Sequence, residues 1–189
     1  MKTAGTAIAA MLLALVGASC ACTGADGDVA VPRMRAWPRP ALYPEAYRAE
    51  PLPFGPDSIA VNASATVERI SPEWFNIVYP AYGITVNCTL TAVRPSDAST
   101  VVANRLERMA RNLGDHRADI ARSGPMTLIV APSALHTPVQ FLATDSATYV
   151  LSGVAVTSLA ANAPADSVAP VIDAIALDIT RMIQPTSPS

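Results

Sequence analysis

Lysine is almost missing from this chain: Lys2 is the only one in 189 residues. Arginine supplies the remaining positive charge, and the 15 acidic residues leave a formal net charge of −2. Without a basic excess there is no electrostatic footprint for nucleic acid, so no nucleic-acid partner is expected. Histidine is nearly as scarce, with only His116 and His136. A zinc site takes three or four His, Cys or carboxylate ligands at organised spacing, so neither a metal nor another cofactor is expected. His116 follows Asp115 just past a helical pattern, where a positive side chain suits the helix dipole. His136 lies in the loop-like stretch Ser133–Pro138. The three cysteines are Cys20, Cys22 and Cys88, too few and too unevenly placed for a disulfide framework. A glycine-rich phosphate loop and a Gly-x-Ser-x-Gly elbow are also absent. Ser133, His136 and Asp145 are residue types of a hydrolytic triad, but triads are recognised by geometry and not by nearness in sequence. The chain therefore reads as non-enzymatic.

No apolar run reaches the ~20 residues of a membrane span. The longest, Ala4 to Val16, follows Met1-Lys2-Thr3 and leads into Gly17-Ala18-Ser19-Cys20-Ala21-Cys22. A positive start, a short apolar stretch and small residues before a cysteine make a lipoprotein signal peptide, here residues 1–19. Ala18 and Ser19 are the small residues a peptidase accepts, which makes Cys20 the expected lipidation site, with Cys22 as its rival. Gly17 stands where such signals usually carry Leu. Removing Lys2 with the signal takes the formal charge from −2 to −3. The expected partner at this end is a membrane, held through the lipid. The expected location is the cell envelope, on the outer or inner membrane, facing the periplasm: no acidic sorting run directly follows Cys22, although Asp26 and Asp28 come soon after.

What remains is enough for one domain with a real core. Residues 20–35 read as a flexible tether. Residues 36–56 carry Trp37-Pro38-Arg39-Pro40 and prolines at 44, 51, 53 and 56, which exclude regular helix and central strand. Trp37, Tyr43, Tyr47 and Phe54 suggest that this extended segment packs on the domain, since a pure linker seldom carries so many aromatics. Residues 57–185 read as the globular domain and 186–189 as a tail.

Within the domain, Ile59 to Val67 alternates weakly and predicts one strand. Trp74–Tyr79, a turn at Pro80–Gly83 and the strict alternation of Ile84–Val93 predict a hairpin. Ser96 or Asp97 is placed to cap a helix. Its apolar face is Val102, Leu106, Met109 and Leu113, and Gly114 is placed to stop it. Met126–Ala131, Pro138–Thr144 and Thr148–Val156 predict three strands. Asp166 is the expected cap of a last helix, with Pro170 in its first turn. Its buried stripe is Val168, Val171, Ile172, Ile175, Ile179 and Met182 or Ile183. The fold class is α+β: a single domain of mainly antiparallel sheet packed against two helices, with one wet face. The Thr-rich side of strand 84–93 suggests that this face is partly covered too.

Two segments carry a resemblance. One is Trp74-Phe75-Asn76-Ile77-Val78-Tyr79-Pro80-Ala81-Tyr82-Gly83. The other is Pro138–Ser146 through Leu151-Ser152-Gly153-Val154 to Asn162–Val171. With the lipoprotein signal and the Pro-Arg-Pro tract at 38–40, they resemble the GldD family of gliding-motility-associated lipoproteins of the Bacteroidota. The resemblance covers roughly residues 37–184. It implies an envelope lipoprotein that serves gliding motility or type IX secretion by binding other envelope proteins, with no known enzymatic activity. The element order also resembles the PsbP/Mog1 type of α-β-α sandwich. The alternative is a periplasmic small-ligand or lipid-binding module in envelope maintenance, since a sheet backed by helices can enclose a pocket.

Smaller motifs have plain readings. Cys88 falls on the apolar side of its strand, as a buried inert thiol would. Asn87-Cys88-Thr89 fits an N-glycosylation pattern that a bacterial strand makes incidental. Asp57-Ser58-Ile59, Asp145-Ser146-Ala147 and Asp166-Ser167-Val168 resemble the Bacteroidota O-glycosylation acceptor, with Ser146 the best placed. Turn and cap chemistry accounts for the same residues.

Overall fold

Alternation of apolar and polar residues builds most of the sheet. In Trp74–Tyr79 (β4), Phe75, Ile77 and Tyr79 are buried while Trp74 is exposed. In Ile84–Ala92 (β5), Ile84, Val86, Cys88 and Leu90 are buried on one side. A 3₁₀ turn at Pro80–Tyr82 joins the two, and Gly83 closes it with φ near 59°, a left-handed conformation that favours glycine. The structure is a computed structural model that describes residues 41–115, 117–124, 126–130, 136–158 and 165–183. All of these fall in one unit, Trp37–Ser189.

The other strands are Tyr47–Pro51 (β1), Ser58–Asn62 (β2), Thr66–Arg69 (β3), Asp119–Ser123 (β6), Met126–Val130 (β7), Val139–Thr144 (β8) and Tyr149–Thr157 (β9). The helices are Pro95–Leu113 (α1) and Ala165–Ile183 (α2). Seven strands form one antiparallel sheet in the order β3-β4-β5-β9-β8-β7-β6, and β1 and β2 form a separate pair. Two meanders, β3-β4-β5 and β6-β7-β8-β9, meet at the β5–β9 pairing, where Cys88 lies opposite Gly153. α1 carries the chain from the centre of the sheet to its far edge.

The helices lie on opposite faces. From α1, Met109 with Val101, Val102 and Leu106 packs on Ile129, Leu142 and Val150. From α2, Val168, Val171, Ile172, Ile175, Ile179 and Met182 join the larger core with Phe141, Ala143 and Leu151. Consequently every residue of β8 is buried. Covering a sheet on both sides removes the wet face expected of its centre and converts alternation into a continuous run.

Several sequence expectations are corrected. Residues 59–67 are not one strand. Asn62 Oδ1 accepts the Ser64 amide at 3.0 Å, an Asx turn that breaks the segment into β2 and β3 in different sheets. Strand β6 was not anticipated: all five of its residues are exposed at the sheet edge, so no burial period marks it. Neither Ser96 nor Asp97 caps α1. The helix starts at Pro95, after Arg94 and without a side-chain cap, while the Asp97 carboxylate accepts from Arg94 Nε at 3.0 Å. Asp166 sits within the first turn of α2 rather than at its cap, and Pro170 lies beyond that turn, inside the helix. Having no N–H, Pro170 cannot bond the carbonyl one turn back. Gly114 does terminate α1, with φ near 58°.

Candidate functional site

Strand pleating brings one row of polar side chains under α1. Asn87 and Thr89 of β5, Ser152 of β9 and Gln140 of β8 share that face through the pairings Asn87↔Val154, Thr89↔Ser152 and Gln140↔Val154. From the helix above, Arg105, Arg108 and Asn112 close a cleft of about 210 Å³. Gln140 is 2% exposed. Its Oε1 accepts from Asn112 Nδ2 at 3.3 Å, but its Nε2 has no partner. A buried amide donor left unpaired costs about 1–3 kcal/mol. Arg105 Nη2 donates to Thr91 Oγ1 at 3.4 Å. Partial burial, and then the like charge of Arg108, hold the Arg105 guanidinium below its ordinary value. Among the described residues neither arginine is in an ion pair, and no carboxylate lines the cleft. The arrangement sets donors and positive charge beside the apolar Met109, Phe141 and Val154.

A second polar cluster ties β1 and β2 to the body of the domain. Asp178, on the inner side of α2, is 8% exposed. Its carboxylate accepts from the Tyr47 hydroxyl at 2.7 Å and from Asn62 Nδ2 at 3.5 Å, and the Tyr79 hydroxyl reaches it as well. Asn62 Nδ2 also donates to the Pro44 carbonyl at 3.1 Å. Burial raises the Asp178 carboxyl above the usual carboxylate range against the lowering effect of these donors. Burial and the nearby carboxylate push the Tyr47 and Tyr79 hydroxyls up. Tyr43, Tyr79 and Tyr82 stack beside the cluster, with Tyr43 and Tyr82 centroids 4.5 Å apart. The Tyr43 amide donates to the Tyr82 hydroxyl, and the Tyr43 hydroxyl accepts from the Ala81 amide at 3.0 Å. Arg181 lies over the Tyr47 ring and pairs with Glu45 at 2.8 Å. Every polar group here has a partner, so this is a clasp rather than a binding site.

The family profile described as gliding motility lipoprotein GldD matches residues 27–187. The chain belongs to the GldD family. No curated protein and no solved structure matches it. As a GldD family lipoprotein it is a membrane-anchored envelope protein of gliding motility. Among the described residues no helix is long and apolar enough to cross a membrane.

Cys20, Cys22, Trp37, the Pro-Arg-Pro tract, His116 and Ser133 lie outside the described residues. Cys88 is buried and free, and burial pushes its thiol up. His136 precedes β8 and Asp145 follows it, so the length of the strand, on the order of 20 Å, separates them. Asp145 is occupied locally: its carboxylate accepts from the Ala147, Thr148 and Tyr149 amides at 2.9, 2.7 and 3.1 Å and from the Thr148 hydroxyl. Burial works to raise this carboxyl, but the Thr148 hydroxyl and then the amides outweigh it and hold it below the usual range. Ser146, exposed in that turn, has φ near 62°, and its amide donates to Thr144 Oγ1 at 2.9 Å. Among the described residues no three His, Cys, Asp or Glu are grouped to hold a metal.

Gln140 and Asp178 were not singled out, though each leaves a trace in the sequence. Gln140 interrupts the apolar string Val139–Ala143, and Asp178 sits three residues after Ile175 within the apolar stripe of α2. A polar residue on an otherwise apolar face is the available signal.

Proposed function

We propose that this chain is a non-enzymatic accessory of the gliding motility or type IX secretion machinery, held by lipid on the periplasmic side of the envelope and acting by binding other envelope proteins. The family supports the setting, and one surface feature carries the binding mode. Trp74 is 56% exposed and Ile70 64% exposed, and they are joined at the β3–β4 turn by the Ile70 amide donating to the Trp74 carbonyl at 2.9 Å. Beside them Leu52, Pro53, Ile70 and Pro72 line an open groove. A large exposed aromatic next to apolar neighbours is the chemistry of an interface anchor. The aromatics of the 43–54 segment point elsewhere: Tyr43 and Phe54 pack on the core. Trp74 and Ile70 thus favour the β3–β4 edge of the sheet, with the Leu52–Pro53 end of the proline-rich segment beside it, as the working surface.

The test is affinity capture from native envelope with the lipidated chain and with Trp74→Ala and Ile70→Ser. Both substitutions lie at exposed positions and should leave stability within about 0.5 kcal/mol. The expected result is recovery of gliding or secretion components by the parent chain and their loss with the variants. Recovery of none, or equal recovery by all three, overturns the reading.

A further inference from the structure

We propose that the cleft between α1 and the sheet binds a small oxyanion, the phosphate or carboxylate of a soluble ligand. This goes beyond the envelope role above and shares no residue with the Trp74 surface. The principal observation is Gln140. It is almost wholly enclosed, its carbonyl is taken by Asn112, and its amide nitrogen faces no acceptor. Folded proteins pair nearly all buried donors, and an orphan at the wall of a cavity is a donor awaiting an acceptor. The second observation is the charge around it. Arg105 and Arg108 flank the cleft without a counter-ion among the described residues, and none of its lining groups is acidic. The hydroxyls of Thr89 and Ser152 and the side chain of Asn87 complete a lining that favours negative charge.

An oxyanion resolves each feature. With a small turn of the enclosed Gln140 side chain it accepts from Nε2, and its charge offsets the burial, and then the like charge of Arg108, that disfavour the Arg105 guanidinium. Arginine's planar fork presents two parallel donors, the geometry that suits carboxylate and phosphate. A cleft of about 210 Å³ is several times the ~30 Å³ share of one water, so a group the size of phosphate or a uronic acid fits where a lone water would leave space. Neutral ligands satisfy Gln140 but leave both arginines uncompensated.

Calorimetry and thermal unfolding of the full chain, at fixed ionic strength, test this with sodium phosphate, sodium glucuronate, glucose and chloride. The expected result is saturable heat and a rise in Tm with phosphate, glucuronate or both, and none with glucose or chloride. Phosphate alone assigns a phosphate ligand and glucuronate alone a carboxylate. Arg105→Met and Arg108→Met should each weaken binding about ten-fold or more while Tm in chloride stays near the parent value. Gln140→Leu should abolish binding and raise Tm in chloride, because it removes the orphan donor without removing a bond the fold needs. No anion effect beyond chloride, a response to glucose equal to that of the anions, or unchanged anion binding in all three variants overturns the proposal.

Discussion

Gly153→Ala is expected to destabilise the domain, although glycine inside a strand is ordinarily the weaker choice. Glycine costs roughly 0.5–1 kcal/mol relative to alanine in a regular element, so an unobstructed methyl would stabilise β9 by about that much. At this position the space is taken. A Cβ on Gly153 would stand 2.3 Å from Phe141 Cε1, 2.8 Å from Phe141 Cζ and 3.0 Å from the Asn87 carbonyl oxygen. Carbon atoms sit comfortably at about 3.5–4.0 Å, so the ring must move by more than an ångström. Phe141 has no exposed surface and lies in the main core with β8 covered on both faces, which leaves it nowhere to go. Overpacking of this kind costs about 1–3 kcal/mol and outweighs the backbone gain. Urea unfolding followed by circular dichroism should show a midpoint lower by about 1 M with an unchanged slope. The companion variant is Phe141→Leu, which opens the contested space at its own cost. Added to that background, Gly153→Ala should cost about 1 kcal/mol less than in the parent chain. A Gly153→Ala chain as stable as the parent, or two substitutions that simply add, would refute the reasoning.

Asp178→Ala should cost about 2–4 kcal/mol, because Tyr79, 2% exposed, and Tyr47 lose their acceptor while Asn62 Nδ2 keeps the Pro44 carbonyl. Asp178→Asn should cost less, and its difference from the parent should depend on pH. The folded carboxyl lies above its unfolded value, so the folded chain holds the extra proton in that window, and the parent loses stability relative to Asp178→Asn as pH rises through it; equal differences at pH 4 and pH 7 would contradict this. Asp145→Asn should show the opposite trend. That carboxyl is held low, so the stability it gives is present at neutral pH and disappears as pH falls through the acid range, which acid titration of the two chains will check. Metabolic lipid labelling is expected to be lost in Cys20→Ala and retained in Cys22→Ala; the reverse would move the anchor to the rival cysteine.

The hairpin of β4 and β5 and the stripe of α2 were legible because each rests on a period a single segment displays. Residues such as Val86, Cys88 and Ile175 are buried because of the side of their own element on which they fall. The lipoprotein signal and the GldD resemblance are equally local, being strings of residues in fixed order. Strand β6 was illegible for the converse reason: its five exposed residues are held by edge pairing with β7, which leaves no mark on their own pattern. The turn at Asn62 was hidden because one side chain's hydrogen bond to Ser64 outweighed a weak alternation.

The sequence by itself determined the α+β class, the hairpin and the apolar stripe of each helix. Only the tertiary structure decided that the helices take opposite faces, that Asp178 clasps Tyr47, Asn62 and Tyr79 from segments far apart in the chain, and that Gln140 lies orphaned beneath Arg105 and Arg108. The physical reason is range. Periodicity and capping act within one turn or one strand, whereas a cleft is made where residues on β5, α1, β8 and β9 converge, and no one of those segments carries its shape.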